Sequence, residues 1–395
     1  MIKSFKKVLD KEKVYTITDF TDYKKNIHLD VYSGLTNGLS FNKVNISMKS
    51  KPVNVFTDNG KVFLFCEDNY LYLLEDGNTI LLTKIKFTSP IKIEYLGDID
   101  KIIVYDQDRV YFIGSNLATL SVPTYTYGFY LNGRLYLVSD DKIYLNGNPN
   151  GYECIINENA ADYIKVSAKY GKILYASGYE NGVEVVTEQY RLRYETGFDN
   201  AEFYLKSEEK LSNLVTEDTV IKVEDKTIYF SAGKLFDLDG NELFKLPDGA
   251  TVAGQVKGYD NYYLLPVVVS KDALILAYST KDRKGYFLSH TGNFFGGYLL
   301  DDKNLRVIGS KNSSASTTWV SKTIKLSNYN PVVLRRVGVS GSGIADVKIT
   351  GKEDYFTIDV RIKKPLRTNI KSREFTIEVA GRNINLNRIE LYYIE

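Results

Sequence analysis

The chain has 395 residues, 44 % hydrophobic and 13 % aromatic, with 51 Lys plus Arg against 49 Asp plus Glu. That apolar content excludes a disordered chain, and the near-balanced charge excludes a generally basic nucleic-acid binder. The 32 Tyr, 19 Phe and 29 Gly favour strands and tight turns, whereas 2 His, 2 Cys and 1 Trp leave little for histidine, thiol or metal chemistry.

In chain order, residues 1–50 hold weak strand signals and turns at Gly34 and Gly38, and read as an N-terminal arm with first strands. No apolar run followed by a small-residue cleavage site occurs there, so no secretory leader is expected. From 51 to 325 the pattern alternates with period two, in short hairpins. Strands are expected at 61–66 and 70–74, 101–105 and 109–113, 133–138 and 142–145, 171–175 and 182–186, then 219–223, 227–230 and 234–238. Further strands are expected at 262–269, 273–278 and 285–288. Glu75-Asp-Gly-Asn78, Asn146-Gly-Asn148 and Asp239-Gly-Asn241 supply the positive backbone angles that such turns demand. The first strand of each group recurs every 33 to 47 residues, a spacing within the range of propeller blades. The fold class expected is therefore all-β: a degenerate β-propeller of about six blades, with two β-sandwiches as the alternative. The segment after Asn304, or the N-terminal strands, would close the ring. The longest apolar stretch, Tyr262–Val269, is less than half a membrane span and contains Pro266, so no membrane anchor is expected.

The polar stretch Lys311-Asn-Ser-Ser-Ala-Ser-Thr-Thr318 reads as a linker. Beyond it, residues 326–395 predict strands at 332–340, 345–350, 355–362, 374–379 and 388–394, a small C-terminal β-sandwich. The glycines of Ser340-Gly-Ser-Gly343 read as a hairpin turn.

Chemistry is sparse. His28 and His290 have no second ligand at metal-binding spacing, and no GxSxG elbow accompanies them. The acid pairs Asp98/Asp100, Asp106/Asp108, Asp140/Asp141, Asp237/Asp239 and Asp301/Asp302 fall mostly at hairpin tips, where Asp bonds its own backbone. Cys66 and Cys154 lack CxxC spacing and read as free thiols. No catalytic, cofactor-binding or metal-binding residue is expected, and no cofactor. The tyrosines, among them Tyr125, Tyr127, Tyr262 and Tyr263, read mainly as strand residues, with sugar stacking or protein contact as the other use. From 331 onward 12 Lys plus Arg oppose 8 acids. The cluster Lys363, Lys364, Arg367, Lys371 and Arg373, with Tyr392 and Tyr393, is the candidate interaction surface, suited to an acidic partner or DNA phosphates.

The closing strands Arg373-Glu-Phe-Thr-Ile-Glu-Val-Ala-Gly381 and Ile389-Glu-Leu-Tyr-Tyr-Ile394 follow an arm and a run of Tyr-rich β-repeats. This order resembles the propeller-type tail hub or stabilisation proteins of double-stranded DNA bacteriophages. The resemblance implies a non-enzymatic virion protein of the tail or neck, assembled in the host cytoplasm. It further implies a homo-oligomeric ring connecting the portal-adaptor end to distal tail components, close to genomic DNA. A carbohydrate-binding propeller, and less so a propeller glycosidase, are the alternatives from the residues themselves.

Overall fold

The computed structural model describes residues 12–395 except 33, 108, 115–117, 122–123, 146–162, 181, 197–202, 290–292, 302–303, 311–315 and 329. Cys154, His290 and the linker 311–315 thus lie outside the described residues, as do Asp108, Asp302 and the turn 146–148.

Among the described residues, the hydrogen-bond pairing forms seven small antiparallel sheets and one ten-stranded sheet. The small sheets are the blades of a propeller. Blade 1 is Pro52–Asp58, Lys61–Cys66, Leu71–Glu75 and Asn78–Leu81; blade 2 is Lys92–Leu96, Lys101–Asp106, Arg109–Ile113 and Ala118–Ser121. Blade 3 comprises Tyr127–Leu131, Arg134–Val138, Lys142–Leu145 and Tyr163–Lys165; blade 4 comprises Ile173–Tyr179, Gly182–Thr187, Tyr190–Thr196 and Phe203–Lys210. Blade 5 runs through Ile221–Val223, Lys226–Ser231, Lys234–Asp237 and Glu242–Lys245. Blade 6 has Thr251–Val252 and Lys257–Tyr259, both paired with Tyr262–Val269, followed by Asp272–Ser279 and Lys284–Ser289. Within most blades the first strand is the one that meets the neighbouring blade's first strand, so first strands line the axis.

There are seven blades where the spacing suggested about six. The seventh draws one strand from each segment that the sequence offered for closure, and two more from just before Asn304. Asn293–Phe295, Tyr298–Asp301 and Asn304–Ser310 supply three strands, and Leu39–Lys43 from the N-terminal side pairs onto the third. The ring is thereby latched between segments more than 260 residues apart in sequence.

Each blade is covered on both faces, so its strands read as near-continuous apolar runs with the two faces going to different neighbours. In Lys101–Asp106, Val104 packs with Phe63, Phe65 and Leu71 of blade 1, whereas Ile103 and Tyr105 pack with Leu135 and Leu137 of blade 3. The cores are therefore clusters between blades. Tyrosine suits this position because a buried ring can send its hydroxyl to a neighbouring segment. Tyr125 Oη donates to the Asp106 carbonyl at 2.6 Å, and Tyr263 Oη to the Thr219 carbonyl at 2.6 Å.

The C-terminal strands join the N-terminal ones in the ten-stranded sheet, and this pairing does not establish the small separate sandwich expected from sequence. Val332–Thr350 pairs along its length with Glu374–Ile394. The other edge of Glu374–Ile394 takes up Ile324–Lys325, Thr317–Ser321, Leu35–Asn37 and Lys13–Ile17 in turn. The remaining members are Tyr23–Ile27, Leu29–Asp30, Tyr355–Asp359 and Leu366–Ser372. The expected turn at Ser340-Gly-Ser-Gly343 is instead strand interrupted by bulges. Gly343 has φ +115°, and a side chain there would meet the Asn383 carbonyl oxygen at 2.1 Å. Glycine thus lets the long strand bend without ending. Its core, including Trp319, Phe20, Val347 and Ile377, is continuous with that between blades 5 and 6.

Candidate functional site

At the axis, first strands of neighbouring blades present an interlocked polar group. Lys92 pairs with Glu94, donates to the Gly128 carbonyl at 2.9 Å, and lies 4.7 Å from the Tyr127 ring centroid. The second oxygen of Glu94 accepts from Tyr105 Oη at 2.7 Å. Asp58, on blade 1, accepts the Tyr95 backbone N–H at 2.6 Å. The Tyr127 and Tyr175 rings are 5.9 Å apart, and the Tyr175 hydroxyl accepts the Lys222 backbone N–H at 3.2 Å. The contacts thus run from blade 1 to blade 5.

Burial raises the pKa of Asp58, the nearby Glu94 charge adds to this, and Lys92 opposes it. Burial also holds the Tyr127 and Tyr175 phenols protonated. Asp58 and Glu94 sit on adjacent blades, each held by protein partners. Acid–base hydrolysis of a sugar instead needs two carboxyl groups flanking the scissile bond. Sequence reasoning did not single out Asp58, Lys92, Glu94 or Tyr175. The signal available was polar residues recurring on the short strand that opens each hairpin group.

The interaction residues expected from sequence fall on and beside the ten-stranded sheet. Cross-strand pairing places Val14, Tyr392, Arg336 and Arg367 in one row on the face away from the core. Lys371 lies on the same face, opposite Val333. Lys363 and Lys364 precede the strand Leu366–Ser372 and Arg373 follows it; all three are exposed. Lys363 donates to the Gly341 carbonyl at 3.2 Å. Tyr393 points the other way, partly buried against the core, as strand alternation requires. The structure therefore brings Arg367, Lys371 and Tyr392 together and separates Tyr393 from them. It adds Arg336, whose guanidinium lies 4.5 Å from the Tyr392 ring centroid and pairs with Glu12.

Other titratable groups are locked in the fold. His28 is buried at φ +58°; its Nδ1 lies 3.0 Å from the Leu39 carbonyl and its Nε2 2.9 Å from Ser289 Oγ. Burial lowers its pKa. Glu184 is buried between blades 4 and 5 and holds Arg191 at 2.7 Å and Arg193 at 3.3 Å. Asp106 accepts the Thr88 and Ser89 N–H groups, and Asp237 those of Asp239 and Asn241, so these acids serve turns.

No protein-family model matches the chain, and no curated protein matches it. Among solved structures it is similar to the WD40 domain of Pan2 from Neurospora crassa, at 11 % identity and TM-score 0.41, over 67 % of this chain and 90 % of that one. It is also similar to the WD40 domain of SCAP from fission yeast, at 11 % identity and TM-score 0.40, over 87 % and 98 %. BamB from Moraxella catarrhalis matches at 10 % identity and TM-score 0.38, over 77 % and 97 %. The propeller is read from the strand pairing itself and not from these likenesses.

Proposed function

We propose that this propeller is a non-enzymatic structural protein of a bacteriophage virion, working in the tail or neck as a hub between the portal-adaptor end and distal components. The observation that supports this reading is the axis. Its carboxylates, ammonium and phenols are engaged with one another or with backbone groups of the next blade, which suits a scaffold better than a site that must exchange substrate. A hub needs rigid blades and outward surfaces for partners. The latched ring and the terminal sheet suit both needs.

Size-exclusion chromatography with light scattering on the purified chain tests the assembly. A homo-oligomer of ring size is expected, and a clean monomer at all concentrations overturns that part of the reading. A glycan array run beside it tests the carbohydrate-binding alternative. Saturable binding of a defined sugar, lost in Tyr127→Ala, would replace the structural reading.

A further inference from the structure

The row Val14, Tyr392, Arg336, Arg367 sets two arginines directly opposite each other on neighbouring strands. Like charges in that position destabilise a sheet unless something compensates them. Glu12 neutralises Arg336, and Glu390 lies 3.4 Å from Arg388. Among the described residues Arg335 has the neutral Asn369 Oδ1, at 3.2 Å, and no ion pair. Among the described residues Lys364, Arg367 and Lys371 have no ion pair, and all three are exposed. Arg367 and Lys371 are four residues apart on one strand, about 13 Å at the usual rise. The face thus carries Arg367 and Lys371 uncompensated on one continuous sheet, with Lys364 in the loop beside it.

We infer that this face binds the phosphate backbone of double-stranded DNA, without reading its sequence. An acidic protein is the other occupant of matching charge. A stable protein interface, however, has an apolar, desolvated centre, whereas the apolar groups here, Val14, Val333, Tyr392 and Ile394, are interleaved with Arg336, Arg367 and Lys371 and leave no charge-free centre. Backbone contact requires only cations on a rigid surface. The inference rests on the assembly reading for the DNA's being at hand. Its test uses the isolated chain, so either can fail without the other.

The probe is a fluorescein-labelled DNA duplex of about 30 base pairs, followed by anisotropy between about 50 and about 200 mM NaCl. Contact with about four phosphates predicts a log–log salt slope near −3.6, so affinity falls roughly 10²-fold across that range. The double variant Arg367→Gln/Lys371→Gln should bring the slope to about −1.8, with no fall in melting temperature because both side chains are exposed and Arg367 opposes a like charge. A duplex of different sequence should bind equally. Absence of duplex binding at the lowest salt overturns the inference, and so does a slope that the double variant leaves unchanged. Preferential binding of a poly-glutamate peptide, with the duplex failing to compete, also overturns it, in favour of an acidic protein partner.

Discussion

Gly128 is a sharp test of how the blades interlock. It lies on the first strand of blade 3, and a Cβ there would sit 2.3 Å from Cε1 and 2.5 Å from Cδ1 of Tyr105 in blade 2. Tyr105 is fully buried and cannot swing into solvent. Gly128→Ala must therefore push the ring back by about 1 Å, an overpacking of roughly 1–3 kcal/mol. The same movement strains the bond from Tyr105 Oη to Glu94 at 2.7 Å. A hydrogen bond to a charged group contributes about 1.5–3 kcal/mol, so a total near 3 kcal/mol is expected. Urea unfolding followed by tyrosine fluorescence and by circular dichroism measures it. In a Tyr105→Leu background the same alanine should cost less than about 1 kcal/mol, giving a coupling of about 2 kcal/mol. A cost below about 0.5 kcal/mol, or additivity of the two changes, would refute the interlocking.

Three further outcomes are expected. His28 is neutral and buried, with a pKa held below its ordinary value of about 6.5. Between the two values the unfolded chain binds more protons, so His28's contribution is complete above about pH 6.5 and declines as pH falls through that value. Urea midpoints from pH 7.5 to 5 should therefore fall more steeply in the natural chain than in His28→Asn, and equal slopes would contradict this. Phe41→Ala in the latch strand removes a side chain that is 6 % exposed and meets Phe294 edge-on at 6.3 Å. It should lower stability by about 3–5 kcal/mol in the same urea assay, and a loss under about 1 kcal/mol would mean that the ring closes otherwise. Burial pushes the Cys66 thiol up to about 12. A disulfide reagent at pH 8 should label it only after denaturant is added, and rapid native labelling, mapped by peptide mass analysis, would argue against its buried position.

Much of the propeller was legible because a blade's middle strands carry both its turn and its apolar run. Strands at 101–105, 109–113, 142–145 and 262–269 recur within a residue of the expected bounds. First strands such as Lys92–Leu96 and Lys257–Tyr259 were harder, since axial residues are polar and short runs lose the alternating signal. The closing segments of the seventh blade were legible, but not their pairing, because no local pattern reveals that Leu39–Lys43 completes a sheet begun at Asn293. Glycine misled at 340–343, where it permits bulges and close backbone approach in a long strand and not a reversal. The basic cluster could be read as a charge count but not as a surface. Only the register aligns Arg367 with Arg336 and Tyr392 and turns Tyr393 to the core.

The claim that this propeller is a structural part of a virion is tested most directly by quantitative mass spectrometry of purified particles from a lysate expressing it. Peptides from both the blades and the terminal sheet are expected, at a fixed copy number per particle that survives high-salt washing. Recovery of the chain wholly in the soluble fraction, with none in the particles, would contradict it.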